Sequence, residues 1–235
     1  MEAQERYPCF QVTSNLITLW SNVCMNCRAP CRTLLLVLLT LSLNNASAGN
    51  AEQLPLQCQN DCVSPYGQVL GTSRRGVEAY SNCHSSCVVH EPSYWYETYT
   101  GIKWQCVEYA RRWLLVNRGV VYASVDIAAD IWSDIDHLTE VSTGRKLPLE
   151  SHSNGSQQPP RVGDLLVYAR DFQGTGHVAV VIDVDYEAGF IEVAEQNYKN
   201  VPWPGDYARR IELVNKDDNY WLLDEYLLGW KHTMN

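Results

Sequence analysis

The final third of the chain most constrains the fold. Six short apolar runs (DLLVYAR, HVAVVIDV, FIEVAEQN, ARRIELVN, YWLLD and LLGWKH) follow one another between residues 164 and 232. They are rich in β-branched and aromatic residues and punctuated by Gly, Asp and Asn, the pattern of strands in a mostly antiparallel sheet. Strands 177–184 and 190–197 are predicted to form a hairpin across DYEAG, with Asp185 opposite Gly189. Odd-numbered residues then share one face: His177, Ala179 and Val181 on one strand, Ile191, Val193 and Glu195 on the other. Glu195 falls diagonally beside His177 at the open end of an apolar face. A slip of one residue would put the two on opposite faces.

Ahead of these strands the pattern is helical. CVEYARRWLLVN (residues 106–117) keeps Val107, Ala110 and Leu114 on one stripe, and Gly119 supplies a stop. IAADIWSDIDHL (residues 127–138) reads as a second amphipathic helix. GQVLGTSRRGVEAYSN has short strands with glycine turns, and EPSYWYETYTGIKW is an aromatic cluster suited to core packing or to walling a groove. A polar loop, ESHSNGSQQPPRVGD, separates this half from the strands, and its Asn154-Gly155-Ser156 is an acceptor sequon for N-glycosylation. Helices first and an antiparallel sheet second is an α+β arrangement in one domain.

The first fifty residues differ from the rest. An apolar run at residues 34–43 follows Arg28 and Arg32 and precedes Ala46-Ser47-Ala48. These are the parts of a secretory signal peptide, and the run is shorter than the roughly 20 residues that span a bilayer. Cleavage after Ala48 is expected, and Met25 is placed where an initiator would leave an ordinary leader; an uncleaved signal anchor is the alternative. The organisation expected is a signal region at 1–48, a disulfide-tied extension at 49–65 and the main domain at 66–235, in a protein that is secreted or resident in an endomembrane lumen, monomeric and without a stable membrane anchor.

Cleavage would remove four of nine cysteines, Cys9, Cys24, Cys27 and Cys31. Cys58, Cys62, Cys83 and Cys87 form two similar pairs, CQNDC and CHSSC. In an oxidising compartment they read as two disulfides with three possible connectivities; a four-cysteine zinc site is the rival that secretion disfavours. Cys106 is left over, either as a buried apolar residue or as a reactive thiol. It stands at a helix start, where free N–H groups and the positive end of the dipole stabilise a thiolate, and an imidazolium nearby would do more. Of six histidines only His177 opens an apolar strand; His84, His90, His137, His152 and His232 read as surface residues. A carboxylate beside His177 would fix its tautomer, so Cys106, His177 and Glu195 follow the logic of an activated thiol nucleophile. The plainer alternative is a core cysteine, a structural histidine and a solvated glutamate. With a net charge of −9 and no Lys/Arg run, the chain lacks the clustered basic surface that nucleic acid requires.

KWQCVEYARRWLL, GVVYASVDIAADIW, RVGDLLVYAR, TGHVAVV, VAEQN and LLGW resemble the CHAP family of cysteine amidases and peptidases, in order across residues 66–231. Within it they are similar to the amidase domain of glutathionylspermidine synthetase/amidase and to D-alanyl-glycyl endopeptidase-like proteins. The resemblance implies a papain-like fold of helices packed on an antiparallel sheet, with Cys106 as nucleophile, His177 as base and then acid, and Glu195 as orienting residue. It also implies Gln105 at the oxyanion, Arg111 near the substrate and Asn197 as a polar neighbour, and no metal or cofactor. The leader and the extra cysteines point to peptidoglycan amides as substrate, with glutathionylspermidine and a non-catalytic wall- or surface-binding module as the alternatives.

Overall fold

The computed structural model describes residues 54–233, so the leader, Met25 and Cys9, Cys24, Cys27 and Cys31 lie outside the described residues. A short 3-10 turn (Leu56–Cys58) precedes two hairpins, β1 (Val69–Thr72) with β2 (Glu78–Tyr80) and β3 (Pro92–Trp95) with β4 (Thr98–Ile102). Helix α1 (Cys106–Arg118) follows, then β5 (Val120–Val121), α2 (Asp130–Asp134), β6 (His137–Glu140) and β7 (Lys146–Ser153). The remaining strands are β8 (Leu165–Tyr168), β9 (Val178–Asp185), β10 (Phe190–Ala194), β11 (Arg209–Lys216), β12 (Asn219–Leu222) and β13 (Leu227–Thr233). Nine of them form one antiparallel sheet in the order β12-β11-β10-β9-β8-β13-β7-β6-β5.

Helix α1 starts and stops where the sequence indicates. Gly119 ends it in the left-handed region at φ 65°, donating its N–H to the Leu115 carbonyl. Its buried side, with Tyr109, Ala110, Trp113 and Leu114, packs in one core with Leu165, Val167, Val178, Val180 and Ile182. The opposite sheet face buries Leu166, Ala179, Val181, Ile191, Val193 and Trp230 with Ile211, Leu213 and Leu222 in a second core.

The sheet closes around that second core. Ser156 bridges Tyr220, and Asn154 accepts from the Leu222 N–H at 2.8 Å and donates to the Leu222 carbonyl at 2.9 Å. Strands β12 through β7 therefore meet at their two edges, which leaves few unpaired backbone groups. Asn154, predicted as the glycan acceptor of an exposed loop, spends both ends of its carboxamide on this seam.

Two expectations change. The second helix, predicted over 127–138, is only the five residues of α2; Ile135 is extended, and Leu138 is fully buried opposite Leu147 in the sheet. Sheet pairing buries these apolar side chains better than a helix lacking a side-chain N-cap. Glu150, Ser151, His152 and Ser153, predicted as loop, belong to β7 opposite β13. The first half is thus strand-rich, and helices are few.

The β9–β10 hairpin reaches the predicted alignment by an unforeseen route. At the turn Phe190 faces Asp185, one residue out of the predicted register, and Gly189 at φ 72° returns its N–H to the Asp185 carbonyl. A β-bulge then adds Ile182, so that Val193 faces Val181 and Ala194 faces Val180. That is the predicted register, restored at the end where His177 and Glu195 lie.

Four cysteines form nested disulfides, Cys58–Cys87 and Cys62–Cys83, and Cys106 is the free cysteine among the described residues. Ser64 and Asn82 bond Asn200, tying this segment to the chain beyond β10.

Candidate active site

Cys106 is the first residue of α1, after an extended Gln105 (φ −89°, ψ 160°). A buried polar network holds this helix start. The Gln105 carbonyl accepts from Gln196 Nε2 at 3.3 Å, and Gln196 also donates to Glu108 at 3.1 Å. Glu108 is fully buried, pairs with Arg112 at 2.7 Å, and accepts from Ser93 and Thr100 of the β3–β4 hairpin. That hairpin approaches closely because Gly101 (φ 144°) has no side chain; a Cβ there would lie 2.9 Å from the Glu108 Cβ.

The histidine arrives from the sheet. Gly176 (φ 72°) turns the chain against the Tyr168 carbonyl, where a Cβ would sit at 2.6 Å, and His177 follows just before β9. Nε2 of His177 lies 2.8 Å from Glu195 Oε2, one residue beyond β10, which leaves Nδ1 to face the hydrogen-bonded Cys106 thiol. Tyr168, Phe172 and Tyr198 surround the imidazole with ring centroids 5.4, 5.8 and 5.3 Å away.

Charge decides the protonation of this set. Burial opposes a charged His177, but hydrogen bonds and negative charge from Cys106 and Glu195 outweigh it and raise its pKa to about 9. Burial likewise pushes Glu195 up, yet Arg209, with His177, holds it at about 2. Arg209 binds Glu195 at 2.6 Å, and Asp224 at 2.6 Å and Tyr168 at 2.9 Å hold its other side. The result is a buried relay of alternating charge, His177–Glu195–Arg209–Asp224.

Cys106, His177, Gln105 and Asn197 line one cavity of about 630 Å³. Asn197 Nδ2 donates to Gln105 Oε1 at 2.6 Å, so these two predicted residues brace each other. Glu195 lies behind His177 rather than in the wall. Arg111 is not in the wall: it donates to the Tyr99 carbonyl at 3.1 Å between the rings of Tyr99 and Tyr122. Burial pushes its pKa down, and its Nε and Nη1 have no hydrogen-bond partner.

Sequence reasoning missed Glu108, Arg112, Gln196, Arg209 and Asp224. Arg209 had a signal: β10 and β11 pair Val193 with Arg209, which brings its side chain diagonally to Glu195.

Ser85, Ser86, Val88 and His90 of the disulfide-tied segment supply one side of the cavity. Gln105 Nε2 donates to the Cys87 carbonyl at 3.2 Å, so the Cys58–Cys87 bridge braces a residue adjacent to Cys106. A Cys58→Ser/Cys87→Ser double variant is expected to lose about 2 kcal/mol, less than an isolated bridge because Cys62–Cys83 still closes the inner loop. It is also expected to lower the rate of the reaction at this site well below its melting temperature. Thermal unfolding and steady-state rates measure the two effects, and an unchanged rate would show that the wall is passive.

Residues 96–197 match the family model described as CHAP domain. The chain is 37% identical over 182 residues to the bifunctional glutathionylspermidine synthetase/amidase of Escherichia coli K12, covering 71% of this chain and 29% of that protein. It is 30% identical over 189 residues to trypanothione synthetase of Crithidia fasciculata, covering 77% and 28%. It is 36% identical over 136 residues to glutathionylspermidine synthase of the same organism, covering 55% and 19%. The chain thus spans less than a third of the length of these relatives.

Proposed function

The chain carries a CHAP domain at residues 96–197, and from that we propose that it is a cysteine amidase using Cys106, His177 and Glu195. The observation that carries this reading is the free cysteine, alone among the described residues, at a helix start facing an imidazole that a buried carboxylate orients. A helix-start cysteine packed against an antiparallel sheet also supports a papain-like arrangement.

The Cys106 sulfur attacks the amide carbonyl carbon, and the carbonyl π electrons move to oxygen. Backbone N–H groups at the start of α1, with the Gln105 carboxamide, take up that charge. The C–N bond then breaks, His177 gives its proton to the departing amine, and a thioester remains on Cys106. His177 next accepts a proton from water, whose oxygen attacks the thioester and releases a carboxylic acid, leaving the Cys106 thiolate beside the protonated imidazole. Glu195 keeps Nδ1 of His177 directed at sulfur, and Arg209 keeps Glu195 ionised.

Two nested disulfides suit an oxidising compartment and support a secreted enzyme acting on peptide amides of peptidoglycan. The similarity to a protein named for glutathionylspermidine amidase activity supports that conjugate as the second reading. Purified enzyme is to be offered peptidoglycan and glutathionylspermidine separately. New peptide termini in the digest support the first reading, and release of glutathione and spermidine the second. If neither is cleaved, both substrate assignments are wrong.

A further inference from the structure

We propose that Glu150, His152 and His232, backed by Asp164, form a site for a zinc-type divalent metal at the end of the curled sheet opposite His177. Three adjacent strands build it. Glu150 of β7 pairs directly with His232 of β13, and His152, two residues on, shares its face. Lys231 pairs with Leu165 of β8, so the next step of the ladder sets Asp164 beside His232. By strand alternation all four side chains share the inner face that also carries Leu166 and Trp230.

The spacing of these side chains suits a metal ligand set. One donor atom from each of Glu150, His152 and His232 lies within 4.8 Å of the others. His152 Nε2 is 3.5 Å from Glu150 Oε2, and His232 Nδ1 is 3.6 Å from Asp164 Oδ2. These are long for hydrogen bonds but close to the roughly 3.3 Å between donors on a tetrahedral zinc ion. The two imidazole centroids are 4.4 Å apart. Both His152 Nε2 and His232 Nδ1 are buried without a hydrogen-bond partner, a costly state for a polar atom unless something binds it. The His232 side chain is 8% exposed and that of Asp164 3%, whereas Glu150 at 48% gives an ion its way in.

Two imidazoles with a carboxylate favour zinc or a neighbouring transition ion over magnesium or calcium, which take mainly oxygen. Along β8, Asp164 is four residues from Tyr168, whose ring packs on His177, a separation of about 13 Å. The ion would therefore clasp β7, β13 and β8 together and take no part in amide cleavage.

The test uses full-length protein, stripped with EDTA and with Cys106 alkylated so that its thiol cannot bind metal. Calorimetric titration with zinc is expected to give one site per chain, and zinc is expected to raise the melting temperature. Glu150→Gln and His152→Gln should each weaken binding about 10-fold or more. Glu150 is exposed enough for its variant to fold if the His152 variant does not. Absence of stoichiometric binding to the alkylated wild type, or unchanged affinity in Glu150→Gln, would overturn the proposal.

Discussion

Cys106→Ala is expected to lower amide hydrolysis by about 10⁴-fold or more, with a melting temperature close to wild type. The sulfur is the atom that bonds to the substrate, and no other described side chain in the cavity combines a thiol with a facing imidazole. The fold has little to lose. Cys106 is 8% exposed at the cavity floor, its disulfide-bonded counterparts are elsewhere, and alanine is the best helix former. A core cysteine would give the reverse outcome, with activity kept and stability reduced by the loss of a packed side chain. Steady-state rates beside thermal unfolding separate the two readings in one preparation.

Glu108→Ala is expected to carry the largest cost in stability, about 3–5 kcal/mol, because it strands a buried guanidinium. Arg112 is 2% exposed, and its Nε and one Nη bond Glu108, so removing the carboxylate leaves positive charge in a low-dielectric core. Gln196, Ser93 and Thr100 lose an acceptor at the same time. Since Gln196 also holds the Gln105 carbonyl, the start of α1 should loosen and the rate fall even in the fraction that folds. Chemical denaturation measures the first effect and the rate per folded molecule the second. Glu108→Gln, which keeps the shape and most hydrogen bonds, should fall between alanine and wild type.

What the sequence disclosed follows the range of the interactions involved. Local signals were legible: the α1 start, the Gly119 stop, the short-strand character of residues 67–82 and the alternation that puts His177 and Glu195 on one face. The face assignment depended on a bulge at Ile182 that no residue type announces, because the turn itself runs one residue out of the predicted register. Partners from distant segments were not legible. Glu108 reads as a solvated helix residue until Arg112 and Gln196 are seen around it, and Arg209 reads as a strand charge until β11 is set beside β10. Polar β7 failed as a strand because its apolar alternation is carried only by Leu147 and Leu149, and its other face presents Glu150 and His152 among charged and small residues. The disulfide pairing needed the three-dimensional distance, since CQNDC and CHSSC permit three connectivities.

The charge relay also sets the pH window of the fold. His177 titrates in the folded protein above its ordinary 6.5, so its contribution is full below that pH and lost as pH rises through about 9. Glu195 titrates below its ordinary 4.5, so its contribution is present above that pH and lost as pH falls toward about 2. Both contributions are therefore full only between pH 4.5 and 6.5.

The coupling of Cys106 to His177 can be read without knowing the substrate, by following the His177 ring signals by NMR against pH in wild type and in Cys106→Ala. The wild-type imidazole should titrate near pH 9, and in the variant, which keeps Glu195 and the burial but loses the sulfur, it should titrate at distinctly lower pH. A His177 that titrates at the same pH in both proteins would contradict the pairing of thiol and imidazole on which the amidase reading rests.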